Sequence, residues 1–409
     1  MINASDTVWM LIATALVMIM VPTLAFFYGG LVRKKNILSV LMQCMALLCV
    51  ISIFWVTFGY SLAFGPDLGG LIGSLDWIGL SGVGLEPSPI YASTIPHQLF
   101  MAFQMMFAVI TPALIVGTFV ERIKFSGFLI FSLFWSAFIY CPLAHWIWAK
   151  GGWLAELGAL DFAGGAVIHI SAGIAALVFV FLIGERRGIE HRRYPHNLPF
   201  AVLGTGFLWF GWFGFNAGSA GAANTIAVAA FINTNTAAAA GGIIWMLVDW
   251  KKNEVPTLLG LATGIIAGLA AVTPGSGYIS PMSALLIGSL SSMICFFFVE
   301  KVKAKFGYDD SLDVFGVHGI AGIVGIIGVG FFATKKINPD GANGLLYGEL
   351  NQLLIQLLVV VVTIVFTAAG TFLLYKLVDK MVGMRVEERD EYVGLDLTQH
   401  HETGYTLID

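Results

Sequence analysis

The sequence predicts an all-α polytopic membrane protein with eleven transmembrane helices in two inverted five-helix repeats plus a final helix. Three observations carry this fold class. Hydrophobic residues fill 58% of the 409 positions and charged residues only 11%, against about a quarter charged in soluble domains. The apolar residues gather into eleven runs, each close to the ~20 residues that cross a hydrocarbon core as helix. One phrase, H-x-x-A-G-I, occurs twice, at His169–Ile174 and His318–Ile323.

The runs lie near 7–31, 37–64, 97–120, 126–148, 161–184, 198–219, 225–248, 256–273, 280–299, 312–334 and 351–379. The first is expected to remain as a helix, because the basic cluster Arg33-Lys34-Lys35 follows it instead of preceding it as in a secretory signal. The short alternating segments of a β-barrel are absent. Residues 65–96 form a long Gly- and Pro-rich loop with Asp67, Asp76 and Glu86. Gly204, Gly206, Gly211, Gly214, Gly218 and Gly221 lie in or beside the sixth run, where small residues let helices approach closely. After Gly383 the chain turns polar, so 1–383 reads as the transmembrane domain and 384–409 as a cytoplasmic tail. Cys44, Cys49, Cys141 and Cys295 all lie inside apolar runs without C-x-x-C spacing. They read as small core residues, not a disulfide framework or a zinc site. A net charge of −4 carries no signature of a nucleic-acid partner. The lipid bilayer is the partner the composition demands.

Charge sets direction. With the N-terminus outside, 18 of the 21 Lys and Arg residues fall on the inner side. These are Arg33, Lys34 and Lys35; Arg122 and Lys124; Arg186, Arg187, Arg192 and Arg193; Lys251 and Lys252; Lys301, Lys303 and Lys305; and Lys376, Lys380, Arg385 and Arg389. Only Lys150, Lys335 and Lys336 lie outside. The positive-inside rule selects this orientation, and an odd helix count puts the C-terminus in the cytoplasm. The fifth helix then runs inward with His169 and the tenth runs outward with His318. An ionisable ring at membrane depth is a functional-site hypothesis, and matched rings in inverted halves point to one site at the repeat interface. With Asp161 opening the fifth helix, His169 is expected about 12 Å along it. No third His, Cys or carboxylate is expected at that depth: His97 and His145 belong near outer helix ends, and His191, His196, His400 and His401 belong to the cytoplasmic side. A metal site, which wants three or four ligands, is therefore not expected.

Aromatic residues gather toward the outer half. Phe103 and Phe107 share a helix face at i, i+4. Trp212, Phe215 and Ser219 lie within two turns, and Trp148 ends the fourth helix. Such rings with a hydroxyl acceptor make a cation-capture vestibule; an interfacial aromatic belt with core packing is the other reading. Asp161 is expected to cap the fifth helix and to add negative potential near an entrance. Asp313, five residues before His318, is the expected parallel at the start of the tenth.

These residues resemble the ammonium transporter family (the Amt/Mep/Rh superfamily), in its prokaryotic Amt form. The resemblance rests on Asp161-Phe-Ala-Gly-Gly-Ala-Val-Ile-His169, on Gly211-Trp-Phe-Gly-Phe-Asn-Ala-Gly-Ser219-Ala, and on Asp313-Val-Phe-Gly-Val-His318-Gly. Phe27-Tyr-Gly-Gly-Leu-Val-Arg33 and Gly394-Leu-Asp396 agree, so it spans nearly the whole chain. It implies a homotrimer in the plasma (inner) membrane with one pore per subunit and no cofactor. It implies ammonium recruitment at Trp148, Phe107 and Ser219, with Phe103 beside them and Asp161 essential nearby. It further implies a gate of Phe107 over Phe215, a pore lined by His169, His318 and Trp212, and cytoplasmic block by a PII-type regulatory protein. The tail departs from the family's His-Gly-Glu-x-Ala-Tyr: His401 stands for the Gly and Gly404 for the Ala.

Bare ammonium in an apolar pore meets a Born cost of tens of kcal/mol. The sequence therefore predicts that NH3 crosses with its proton relayed separately. An ammonium sensor of the same fold, signalling through a cytoplasmic partner or fused output domain, is the rival reading. An intramembrane enzyme lacks a nucleophile–base constellation, and a gas or urea conduit leaves the cation-binding aromatics without a purpose.

Overall fold

The computed structural model describes residues 1–187 and 195–405. His191, Arg192 and Arg193, named above as inner-side residues, lie outside the described residues. Among the described residues, ten helices are long and apolar enough to span a membrane: α1 (Ala4–Leu31), α2 (Lys34–Phe64), α3 (His97–Phe119), α4 (Phe125–Glu156), α5 (Gly165–Ile183), α6 (Leu198–Gly218), α7 (Thr225–Asn253), α9 (Pro281–Phe306), α10 (Phe315–Phe332) and α11 (Leu350–Val382). Between α7 and α9 lies a shorter apolar helix, α8 (Leu258–Val272). Its 15 residues span about 22 Å, less than a full hydrocarbon core of about 30 Å. The eleven runs of the sequence each correspond to one of these helices. Ile53, Phe181, Phe210 and Val361 are among the large apolar side chains left exposed on the outside of the bundle, as a lipid-facing surface requires.

Loop 65–96 folds into two small hairpins, β1 (Asp67–Leu68) with β2 (Ile72–Gly73) and β3 (Pro87–Ser88) with β4 (Ala92–Pro96). The N-terminus lies beside it, with the Asn3 N–H bonded to Thr94 O at 2.8 Å. This end of the bundle is the loop side, and the opposite end is the tail side.

Glycine sets the helix contacts. A Cβ on Gly204 would lie 2.7 Å from the Phe27 backbone, and one on Gly214 would lie 2.9 Å from Ala13 O. Gly211 and Gly218 press on Met20 and Ala13 in the same way, so α1 and α6 run in backbone contact. Gly206 and Gly221 differ from the packing expectation: nothing lies within 4 Å of either Cβ position, and Gly221 (φ 68°) instead turns the chain after α6. The glycines of the repeated phrase join α5 to α10. A Cβ on Gly173 would lie 2.2 Å from Gly319 Cα, and one on Gly322 would lie 3.0 Å from His169 Cβ. The first helices of the two halves thus touch each other, and so do the fifth.

Ionic contacts tie the tail side. Arg122, fully buried, donates to Asp309 Oδ2 at 3.2 Å, and Arg186 donates to Asp309 Oδ1 at 2.6 Å. Glu121 pairs with Arg33 at 2.9 Å and Arg186 at 3.4 Å. Burial opposes ionisation of Asp309, yet its bonds to Arg186 hold it well below the usual carboxylate range. The tail lies across these loops as two short helices, α12 (Glu388–Val393) and α13 (Leu395–His400). Arg385 donates to the last carbonyls of α5 at Ile183, 2.8 Å, and Asp396 accepts the Ser39 N–H at 2.8 Å.

Replacing Gly173 with Ala forces a methyl group into the Gly319 backbone. Overpacking of this kind costs about 1–3 kcal/mol, so Gly173→Ala should lower the thermal unfolding midpoint in detergent. Gly206→Ala, facing open space, should leave that midpoint unchanged.

Candidate functional site

The start of α5 is built by one carboxylate. Asp161 Oδ1 accepts the N–H groups of Gly164 (2.9 Å) and Gly165 (2.5 Å), and Oδ2 those of Ala166 (2.8 Å) and Val167 (3.2 Å). These are the orphan donors of a helix N-terminus. Asp161 therefore caps from a preceding turn, which Gly164 closes with φ 112°. The expected helix start moves from Asp161 to Gly165. His169 sits four residues into the helix instead of eight, about 6 Å from its end. Leu160, just before, is fastened to Gln356 of α11 through both its N–H (2.9 Å) and its C=O (2.7 Å).

The start of α10 repeats the device with a different residue from the expected one. Asp313 does not cap: its backbone takes φ 59° and its side chain pairs with Lys303 at 2.7 Å. Asp310 Oδ2 accepts the Phe315 N–H at 2.8 Å, while Oδ1 receives the Thr118 hydroxyl at 3.1 Å. Burial pushes the Asp310 carboxyl up to about 6. Asp310 precedes His318 by the same eight positions that separate Asp161 from His169. That spacing was the available signal. Gly164 and Asp313 correspond to each other instead: both stand five positions before a histidine, and both have positive φ.

Each histidine lies in a widened helical turn. Ile168 and His169 both donate to Gly164 O, at 2.9 and 3.0 Å, and the Ile320 N–H reaches back five residues to Phe315 O. Such turns recur at functional sites. The two imidazoles face each other with centroids 5.4 Å apart and planes 13° from parallel. His169 and His318 are 1% and 4% exposed. Among the described residues, neither nitrogen of His169 and not Nδ1 of His318 has a hydrogen-bond partner.

Other rings extend this pair toward the loop side. Phe215 lies 6.2 Å from His169, and Phe107 lies 4.4 Å from Phe215. Phe103 and Trp148 each adjoin Phe107, at 4.8 and 6.0 Å. Trp212 stacks on His169 at 5.6 Å, and its N–H donates to Thr273 Oγ1 at 2.9 Å. Trp148 donates to Asp161 O at 2.7 Å, linking the cap to the column. The Ser219 hydroxyl donates to Phe215 O at 2.9 Å, and the neighbouring Gly218 packs on the Phe103 ring. Of the residues singled out in the sequence, Phe103, Phe107, Trp148, Phe215, Trp212, His169 and His318 form one continuous chain of ring contacts. Asp161 and Ser219 attach to that chain through backbone carbonyls.

Between the rings is a cavity of ~10 Å³ walled by Phe215, Trp212, Leu114, Ile168 and both histidines. That is the room one water-sized molecule needs. A larger cavity of ~210 Å³ begins at His318 and opens toward Arg33, Glu121, Arg186 and Asp313. The two share Phe27, Ile266 and His318 as walls.

A polytopic helical bundle that encloses a small cavity between its two halves has the build of a membrane transporter. The sequence pattern of the Ammonium Transporter Family matches residues 8–405, and the chain belongs to that family. It is 49% identical to an ammonium transporter of Bacillus subtilis over 98% of both chains. It is 45% identical to ammonium transporter Amt1 of Archaeoglobus fulgidus, over 98% of this chain and 99% of that one. Candida albicans Mep2 superposes with a TM-score of 0.91 at 35% identity, covering 99% of this chain and 94% of its own. A structure described as a sensor Amt protein superposes with a TM-score of 0.89 at 29% identity, covering 97% and 98%.

The two aspartates of the tail side separate cleanly by mutation. Asp310→Ala removes a helix cap and strands the buried Thr118 hydroxyl, at about 2 kcal/mol. Asp313→Gly suits the left-handed backbone and loses only a partly exposed ion pair, worth below ~1 kcal/mol. Thermal unfolding should rank Asp310→Ala well below Asp313→Gly.

Proposed function

We propose that this protein moves ammonium across the plasma (inner) membrane, N-terminus outside and tail in the cytoplasm. The loop side is then the outer mouth, where Trp148, Phe103, Phe107 and Ser219 recruit NH4+ while Asp161 lends negative potential. An aromatic face attracts a cation by about 0.5–2 kcal/mol. That is enough to concentrate it and far too little to offset the cost of carrying its charge into an apolar passage. The cation therefore yields its proton at the Phe107–Phe215 gate to His169, the base that adjoins Phe215, and NH3 passes the cavity beside Trp212. His169 and His318 orient the NH3 and relay the proton, since an imidazole donates at one nitrogen and accepts at the other. Each cycle carries one charge.

The observation that carries this reading is the pair of facing imidazoles, of which both nitrogens of His169 and Nδ1 of His318 have no partner among the described residues. A buried polar atom without a hydrogen bond is costly, and a small hydrogen-bonding guest removes that cost. The likeness to the two proteins described as ammonium transporters supports the same substrate. A homotrimer, with methylammonium as substrate analogue, belongs to the reading. A PII-type regulator would meet a tail in which His401 holds φ 56° at the family's glycine position.

The sensor structure supports a second reading, in which the same site binds ammonium and signals to a cytoplasmic partner or output domain. Current separates the two. Purified protein in liposomes on a solid-supported membrane should give an ammonium-driven transient current. His169→Ala with His318→Ala should reduce it at least about tenfold or abolish its selectivity over potassium. A fully wild-type current in the double variant contradicts the relay, and no current in the parent protein favours sensing.

A further inference from the structure

His145 lies one turn before Trp148 and is wholly buried. Its Nδ1 is 2.9 Å from Ala63 O and its Nε2 is 2.8 Å from Asp67 Oδ1. A carbonyl oxygen only accepts, so Nδ1 carries a proton. Asp67 Oδ1 also accepts the Gly70 N–H at 2.8 Å, and its side chain is 28% exposed. Solvent and that second donor keep the carboxylate ionised, so Nε2 carries a proton as well. The bond from His145 in turn holds the Asp67 carboxyl below its ordinary range.

The pair joins two segments. Asp67 belongs to the first hairpin of loop 65–96, and His145 belongs to the last turn of α4, where its C=O accepts the Ala149 N–H at 3.1 Å. Around it, Trp146 donates to Leu71 O at 2.7 Å and the Trp153 N–H meets Gly70 O at 3.3 Å. Gly151 takes φ 92° and leaves no room for a Cβ, which would lie 2.8 Å from Asp67 Cβ. The other ionisable groups at this contact are Tyr91, whose hydroxyl receives the Lys150 N–H at 3.3 Å, Lys150 itself, and Cys141, directed at Gly59 O.

We propose that His145 is a positioning residue held as an imidazolium, and that its pair with Asp67 clamps loop 65–96 onto α4 and fixes Trp148 over the ring column. The proposal rests on Trp148 belonging to the recruitment mouth. A neutral imidazole has one N–H, so on deprotonation either Ala63 O or Asp67 loses its donor.

The test uses full-length protein in liposomes and methylammonium, with concentration expressed as the cation. His145→Ala should raise KM by roughly 3–10-fold with Vmax within about twofold, because the passage is untouched. In Asp67→Asn the amide donates to Nε2 of a neutral ring, which keeps Nδ1–H on Ala63. The clamp then closes without charge, and KM should stay within about twofold of wild type. Histidine ¹⁵N spectra should show both His145 nitrogens protonated at neutral pH in the wild type and one in Asp67→Asn. A neutral ring in the wild type overturns the proposal. So does an unchanged KM in His145→Ala alongside a raised KM in Trp148→Leu. An unchanged KM in Trp148→Leu instead overturns the recruitment reading and the Trp148 link with it, while the ¹⁵N spectra still judge the charged pair.

Discussion

The interaction on which the rest depends is one the protein leaves unmade. Two imidazoles lie face to face in an apolar interior, and among the described residues the nitrogens of His169 meet no donor or acceptor. Each such atom costs on the order of 1–3 kcal/mol. A ring free to turn onto a backbone carbonyl would recover that energy. The surrounding helices therefore have to be rigid where they hold these rings. They are: Gly173 rests against Gly319, and Gly322 against His169 and Gly165 O, with no room for a methyl group. The glycine of the repeated phrase is thus as much a part of the site as the histidine.

The inverted repeat also settles an electrostatic difficulty. Each histidine sits near the N-terminus of its helix, and a helix N-terminus carries about half a positive charge. Two such ends converging from opposite faces would repel a cation from both sides. Asp161 gathers four of the exposed N–H groups on one side, and Asp310 takes the Phe315 N–H on the other. The caps start the helices and cancel the field at the same time.

Much of this was legible in the sequence because lipid imposes simple rules. Run length gave the helices, and only α8, at 15 residues, falls short of a full span. The duplicated phrase located the histidines, and i, i+4 spacing located Phe103 beside Phe107. What the sequence obscured was the three-dimensional course of short turns. The capping role of Asp161 is legible in the sequence, but not that its side chain wraps four N–H groups from a turn outside a helix that begins at Gly165. Asp313, five residues before His318, looks like its counterpart in the sequence. Its positive φ points its side chain away, toward Lys303, and leaves the cap to Asp310. Trp212's partner Thr273 lies on the chain just past α8, and nothing in local sequence links residues that distant. The clamp of loop 65–96 on α4 is hidden for the same reason, since Asp67 and His145 meet only once α2 and α4 have packed.

A symmetric centre cannot by itself distinguish its two faces; the ends must do so. On the loop side the column finishes in rings, Phe103, Phe107 and Trp148. On the tail side the larger cavity is walled by Arg33, Glu121, Arg186 and Asp313, two of each sign. Aromatic faces bind a cation weakly and without a counter-ion, which suits capture from dilute solution. Paired charges keep a cavity wet and leave little net field, which suits a neutral molecule regaining its proton beside water. On the proposed reading the histidines make passage possible, and the unlike chemistry of the two mouths fits one to capture and the other to release.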